Sequence, residues 1–142
     1  MGELLVTTVP GIVRQDRAYQ ATTVVTSRDL LKLGESSLGE TLSKKPGLSS
    51  TYFGPGSSRP LIRGMGGDRV KMLQNGLELG DASGTSPDHA VSVEPRLAEQ
   101  IEVVRGPATL LYGSSAVGGV VNVLDAAIAR DLPTRQVSGF LE

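Results

Sequence analysis

No uninterrupted apolar run in this chain is longer than four residues, Ala126 to Ala129. Glycine occurs 18 times and proline 8 times. A bilayer-spanning helix is therefore excluded. Short strands and helices of one to three turns remain, joined by long loops. At 142 residues the chain suits one domain with a modest core. It has no cysteine, which removes disulfide scaffolds, thiolate zinc sites and cysteine nucleophiles. The formal charge is −1, without the basic excess of a nucleic-acid binder. Five aromatic side chains cannot build the two girdles of a membrane barrel.

The local patterns predict a mixed α+β chain with a short mixed sheet. Residues 3–20 contain Pro10-Gly11 and read as an extended arm with little core of its own. Residues 21–26, ATTVVT, are β-branched and predict a strand. Ser27 is expected to cap a short helix that Gly34 ends, and Ser37 with Glu40 fits a capping box for a second. Lys44, Lys45 and Pro46-Gly47 then stop that helix. LSSTYF and LIRGM read as strands. Asn75-Gly76 lies between RVKMLQ and LELG, a strong hairpin signal because both turn residues need positive φ. Residues 81–92 read as a polar loop, and Glu94-Pro95 opens a helical turn through Ala98. QIEVVR and VVNVL predict strands. Pro107 is expected at the first position of a helix whose apolar face is ATLLY.

Few residues carry chemistry. Gly64 to Gly67 and Gly113 to Gly119 lack the lysine of a phosphate loop, and the Ser114-Ser115 turn lacks the spacing of a nucleophile elbow. No nucleophile–base pair can be assembled, so an enzyme is not expected. The single histidine, His89, stands beside Asp88; on spacing alone it reads as a solvated loop residue, since a metal needs about four ligands. Arg63, Arg69 and Arg105, with Glu99 and Glu102, read either as surface ion pairs or as half-buried groups waiting for another surface. The arm ELLVTT reads either as a frayed terminus or as a strand offered to another protein's sheet edge.

Three ordered blocks carry a resemblance: SRDLLKLGESSLGETLSKKPGLSS, RPLIRGMGGDRVKMLQNGLELGD and LAEQIEVVRGPATLLYGSSAVGGVVNVLD. Together they cover about residues 21–125, and the chain resembles the plug domain of TonB-dependent outer-membrane receptors. LQNGLELGDASGTSPDHAVSVEP is similar to the zinc-regulated subgroup of these receptors. The resemblance implies an arm at 1–20, a plug at 21–127, and a linker into a barrel at 128–142. Glu3, Leu4, Leu5, Val6, Thr7 and Thr8 stand where the family has its TonB box, which pairs with the TonB C-terminal domain in the periplasm. Asp88 and His89 become the plug's half of a metal site, completed by barrel ligands. Arg63, Arg105 and Glu102 become a latch against acidic barrel residues.

The implied function is a gate inside an outer-membrane barrel for a scarce nutrient, a metal ion such as zinc. No cofactor is required; Zn2+ or another divalent metal is the expected cargo. Partners are the chain's own C-terminal β-barrel and TonB, with neither nucleic acid nor direct lipid contact. The plug of a siderophore, haem or vitamin receptor is the alternative, as is a free-standing periplasmic interaction domain. Met1-Gly2 and Leu141-Glu142 read as cloning-derived ends, and no signal peptide is expected at the start.

Overall fold

The computed structural model describes residues 5–8, 13–54, 56–80, 82–84, 86 and 88–127. Its centre is a five-stranded mixed sheet of β3 (Thr22–Thr26), β8 (Ala98–Arg105), β9 (Gly119–Asp125), β6 (Val70–Gln74) and β7 (Leu77–Glu78), in that spatial order. β6 and β9 run parallel, and the other neighbours run antiparallel. Two small two-stranded sheets flank it: β1 (Leu5–Val6) with β2 (Val13–Arg14), and β4 (Leu48–Ser50) with β5 (Pro60–Ile62). Three short helices complete it, α1 (Ser27–Leu33), α2 (Leu38–Ser43) and α3 (Thr109–Tyr112). A mixed sheet with few small helices is what the sequence predicts.

Strand alternation splits β8 between two faces. Ile101 and Val103 join Val25, Leu30, Leu38, Leu42, Leu48, Ile62, Met72, Val121 and Val123 in the main core under α1, α2 and the β4–β5 pair. Val104 points the other way, with Val24 and Val6, and Val120 meets Leu73, Ala108 and Ala116 on that second face. The arm and the segment from Ala108 to Ala116 therefore cover one face, while the helices cover the other.

The turn chemistry follows the sequence in most places. Asn75 and Gly76 both take positive φ, 51° and 83°, and close the β6–β7 hairpin as expected. Ser37 caps α2, accepting from the Glu40 amide at 3.4 Å, while its hydroxyl donates to the Glu40 carboxylate at 2.7 Å. Gly119 takes φ +146°, and a Cβ there would fall inside contact distance of the Val104 carbonyl oxygen and 2.8 Å from Ile62 Cδ1. Only glycine lets β9 start this close to β8.

Several expectations are corrected. Thr26, in extended backbone, caps α1 and accepts from the Asp29 amide; Ser27 is already helical. LSSTYF is a strand only over Leu48–Ser50, and Tyr52 and Phe53 are exposed. Pro107 does not begin a helix, because Ala108 leaves helical backbone and α3 starts at Thr109. Its one turn cannot bury the whole ATLLY face: Ala108 and Tyr112 reach the sheet, whereas Leu110 is 100% exposed. The arm is not a frayed terminus over its described residues. Val6 is completely buried, and Thr8 is buried beside it. The expected linker and barrel start from 128 onward lie outside the described residues, as do Glu3 and Leu4.

Candidate functional site

Residues expected to act fall into three clusters. The first joins the arm to the sheet. β1 delivers Thr7 and Thr8 over the middle of β8, where Glu102 is completely buried. A carboxylate in that position needs donors, because an unpaired buried charge is costly. The arm supplies them. The Thr7 amide donates to Glu102 Oε1 at 2.9 Å and to Oε2 at 3.0 Å, and the Thr8 amide donates to Oε2 at 2.8 Å. The Thr7 hydroxyl donates to Oε1 at 3.1 Å, and the Thr8 hydroxyl donates to Oε2. Gln100 Nε2 donates to Oε1 at 2.8 Å. Beyond the arm, the Tyr112 hydroxyl donates to the Thr8 carbonyl at 2.6 Å. Burial, then the Glu102 charge, then Tyr19 push the Tyr112 phenol up, so it stays a donor.

The second cluster gathers two arginines. Arg63 follows β5 in left-handed backbone, φ 52°, a conformation that costs a non-glycine residue about 1–2 kcal/mol. Its amide donates to the Gly47 carbonyl at 3.2 Å. Arg105, at the end of β8, donates from Nη2 to the Pro46 carbonyl at 2.8 Å. The Pro46-Gly47 turn that ends α2 thus anchors both. Arg105 Nε is buried with no hydrogen-bond partner among the described residues. Burial, and then the nearby Arg63 charge, lower the Arg105 pKa. The expected latch of Arg63, Arg105 and Glu102 is therefore divided. The arginines share one end of the sheet, while Glu102 sits under the arm on the opposite face.

Asp88 and His89 form the third cluster, exposed on the loop before β8. His89 Nδ1 lies 3.1 Å from Asp88 Oδ1. The Ser86 hydroxyl donates to the same oxygen, and the Ser57 hydroxyl donates to the Asp88 carbonyl at 2.9 Å. The Ser86 hydrogen bond, then Asp88's own backbone amide, then His89 hold the Asp88 carboxyl below its ordinary value. Carboxylate and imidazole together suit a divalent metal. Among the described residues no group of three such side chains comes together.

The pairing of Thr7 and Thr8 with Glu102 was missed by sequence reasoning, which placed these residues in separate roles. A signal did exist, since Glu102 interrupts the apolar run I-E-V-V of a strand that reads as buried. A second missed group lies at the far end of the sheet. Asp125 accepts from Gln74 Nε2 at 2.5 Å and Asn75 Nδ2 at 2.7 Å, and Asn122 Oδ1 accepts from the Gly76 amide at 3.0 Å. These bonds tie the hairpin to β9 where the chain leaves the sheet.

The family model described as the TonB-dependent receptor plug domain matches residues 14–120. Among solved structures, the siderophore receptor PirA from Acinetobacter baumannii is 29% identical, with a TM-score of 0.61 over 73% of this chain. A variant of the ferric enterobactin receptor PfeA from Pseudomonas aeruginosa, in complex with enterobactin, is 26% identical, with a TM-score of 0.61 over 77% of this chain. The copper transporter OprC is 25% identical, with a TM-score of 0.59 over 73%. This chain spans 17%, 18% and 16% of those three chains, respectively.

Proposed function

The chain belongs to the TonB-dependent receptor plug family, and on that footing we propose that it gates an outer-membrane transporter for a scarce metal nutrient. Plug domains of this family are transport components and not enzymes. The observation that carries the reading is the family match across residues 14–120, joined to an arm that lies on the sheet rather than within it. In this reading a barrel continues the same polypeptide and surrounds the plug. Residues 3–8 form the TonB box, and TonB takes that strand by β-augmentation from the periplasmic side. Arg63 and Arg105 face acidic barrel residues. The orphaned Nε of Arg105 and the mutual repulsion of the two arginines support that role, since a carboxylate would relieve both.

For the cargo we propose a divalent metal, zinc first, with Asp88 and His89 as the plug's contribution and the remaining ligands on the barrel. Their adjacency in an exposed loop supports this. A second reading has its own support: PirA and PfeA are siderophore receptors, so an iron chelate is the competing cargo. Uptake by the intact receptor separates the two. Labelled zinc taken up by the wild type, and lost in Asp88→Ala with His89→Ala, is the expected outcome. Uptake of a ferric siderophore that the double variant does not change would reject the metal-ion reading in favour of the siderophore one.

A further inference from the structure

We propose that Asn75-Gly76 is a latent modification site, open to backbone-assisted deamidation, which docking of the β6–β7 hairpin on β9 keeps closed through Asn122 and Asp125. The turn itself creates the reactive pair. Both turn residues take positive φ, 51° at Asn75 and 83° at Gly76, and asparagine followed by glycine is well suited to this. The same pair sets a side-chain amide next to a backbone nitrogen whose residue has no Cβ to shield it. Gly76 is exposed, so water reaches it.

The reaction needs water as its only co-reactant. The Gly76 nitrogen loses its proton and attacks Asn75 Cγ. A C–N bond forms, the side-chain nitrogen leaves as ammonia, and a succinimide ring closes. Water then adds to either ring carbonyl and breaks its bond to the Gly76 nitrogen. One opening leaves aspartate at position 75. The other leaves isoaspartate, in which the main chain runs through Cβ and Cγ. Either product replaces a neutral amide with a carboxylate.

In the docked hairpin each reacting group is held off that path. The Gly76 amide donates to Asn122 Oδ1 at 3.0 Å, and Asn122 is buried in β9 between β8 and β6. A nitrogen that donates to a buried acceptor gives up its proton less readily. Asn75 Nδ2 donates to Asp125 Oδ1 at 2.7 Å, and the Asp125 amide donates to Asn75 Oδ1 at 3.2 Å. Both ends of the side-chain amide are pinned to one residue, so turning Cγ toward the Gly76 nitrogen breaks both bonds. The Asn75 amide also donates to the Val123 carbonyl at 2.8 Å, which ties the turn backbone to the same strand. Gln74 Nε2 donates to Asp125 Oδ2 at 2.5 Å and the Ala127 amide donates to Asp125 Oδ1 at 2.9 Å, which orients the carboxylate. The bond from Asn75 to that carboxylate is charge-assisted and the strongest of those on the turn.

Modification runs one way. A carboxylate at position 75 cannot donate to Asp125 and repels it. Isoaspartate adds a backbone atom to a turn whose length sets the β6–β7 register. The modified hairpin therefore does not redock, and conversion accumulates with the time the hairpin spends off β9.

The test follows conversion of Asn75 in the full chain by peptide mass spectrometry, with isoaspartate identified by enzymatic methylation. The folded wild type is expected to convert at least about ten-fold more slowly than the same chain unfolded in urea. Asp125→Ala removes the acceptor for Asn75 Nδ2 and is expected to raise the folded rate about ten-fold, with amide exchange in β8 and β9 unchanged. Asp125→Asn keeps an acceptor without the charge and is expected to fall between the wild type and Asp125→Ala. Equal rates in the folded and the urea-unfolded wild type overturn the proposal whatever the variants do. So does conversion at the wild-type rate in folded Asp125→Ala and Asp125→Asn. An acceleration matched by an equal loss of protection throughout β8 and β9 also overturns it, because the protection would then belong to global stability.

Discussion

Truncating Val6 to alanine isolates the apolar half of the arm's attachment. Val6 is completely buried and packs with Val24 and Val104 on the second face of the sheet. The substitution removes two methyl groups, each worth about 0.8 kcal/mol. Docking is therefore weakened by about 1.6 kcal/mol, before any cavity term is added. At about 1.4 kcal/mol per decade, the open population of the arm rises about 15-fold. Because the main core lies on the opposite face, this change falls on local opening and not on global unfolding. Hydrogen exchange at Thr7 and Thr8 reports the open population directly. The expected result is acceleration of about 15-fold at these amides with the urea midpoint unmoved. Unchanged exchange at Thr7 and Thr8 would refute the docking argument. A loss of about 1.6 kcal/mol in global stability would refute the claim that arm and core open separately.

Three further outcomes follow. Gly119→Ala places a Cβ against the Val104 carbonyl and Ile62 at a φ of +146°; overpacking and backbone strain together cost about 4 kcal/mol, read from urea unfolding, and a cost under about 1 kcal/mol would contradict the close approach of β9 to β8. Ser86→Ala removes the hydrogen bond that contributes most to lowering the Asp88 pKa, so the Asp88 carboxyl rises toward its ordinary value in an NMR titration. Since a depressed carboxyl keeps its charge to lower pH, metal binding that needs the Asp88 carboxylate is then lost at a higher pH in Ser86→Ala than in the wild type; the same onset in both would remove Asp88 from the ligand set. Asn75→Val puts a β-branched residue at φ 51° and breaks the Asn75–Asp125 bond, so the β6–β7 hairpin loses amide protection ahead of β8.

Much of the fold was legible because its turns are local. Asn75-Gly76, the Ser37 and Glu40 pair, and the glycine after α1 each report a backbone conformation through residues within four positions of one another. The central strands were legible from their β-branched runs. What stayed hidden depends on residues far apart in sequence. ATLLY carries no sign that its helix is one turn long, or that Leu110 faces away from the sheet. The cap at Thr26 and that expected at Ser27 use side chains of nearly equal capping strength, so a one-residue shift was not decidable from type. At the candidate site, adjacency preserved Asp88 with His89. The three latch residues are not brought together, because strand alternation, invisible until β8 is placed, puts Arg105 and Glu102 on opposite faces. Glu102 could have been questioned from its position alone, as a charge inside an apolar strand. Its donors could not have been named, since they lie at the other end of the chain.

The central proposal is that residues 3–8 are the handle by which TonB acts on this plug. The direct measurement compares the intact receptor with a form lacking residues 3–8, scoring substrate binding at the cell surface and uptake into the cell separately. The account predicts that binding persists while uptake is abolished, because the site and the handle are different parts of the plug. Uptake at the wild-type rate without residues 3–8 would contradict it.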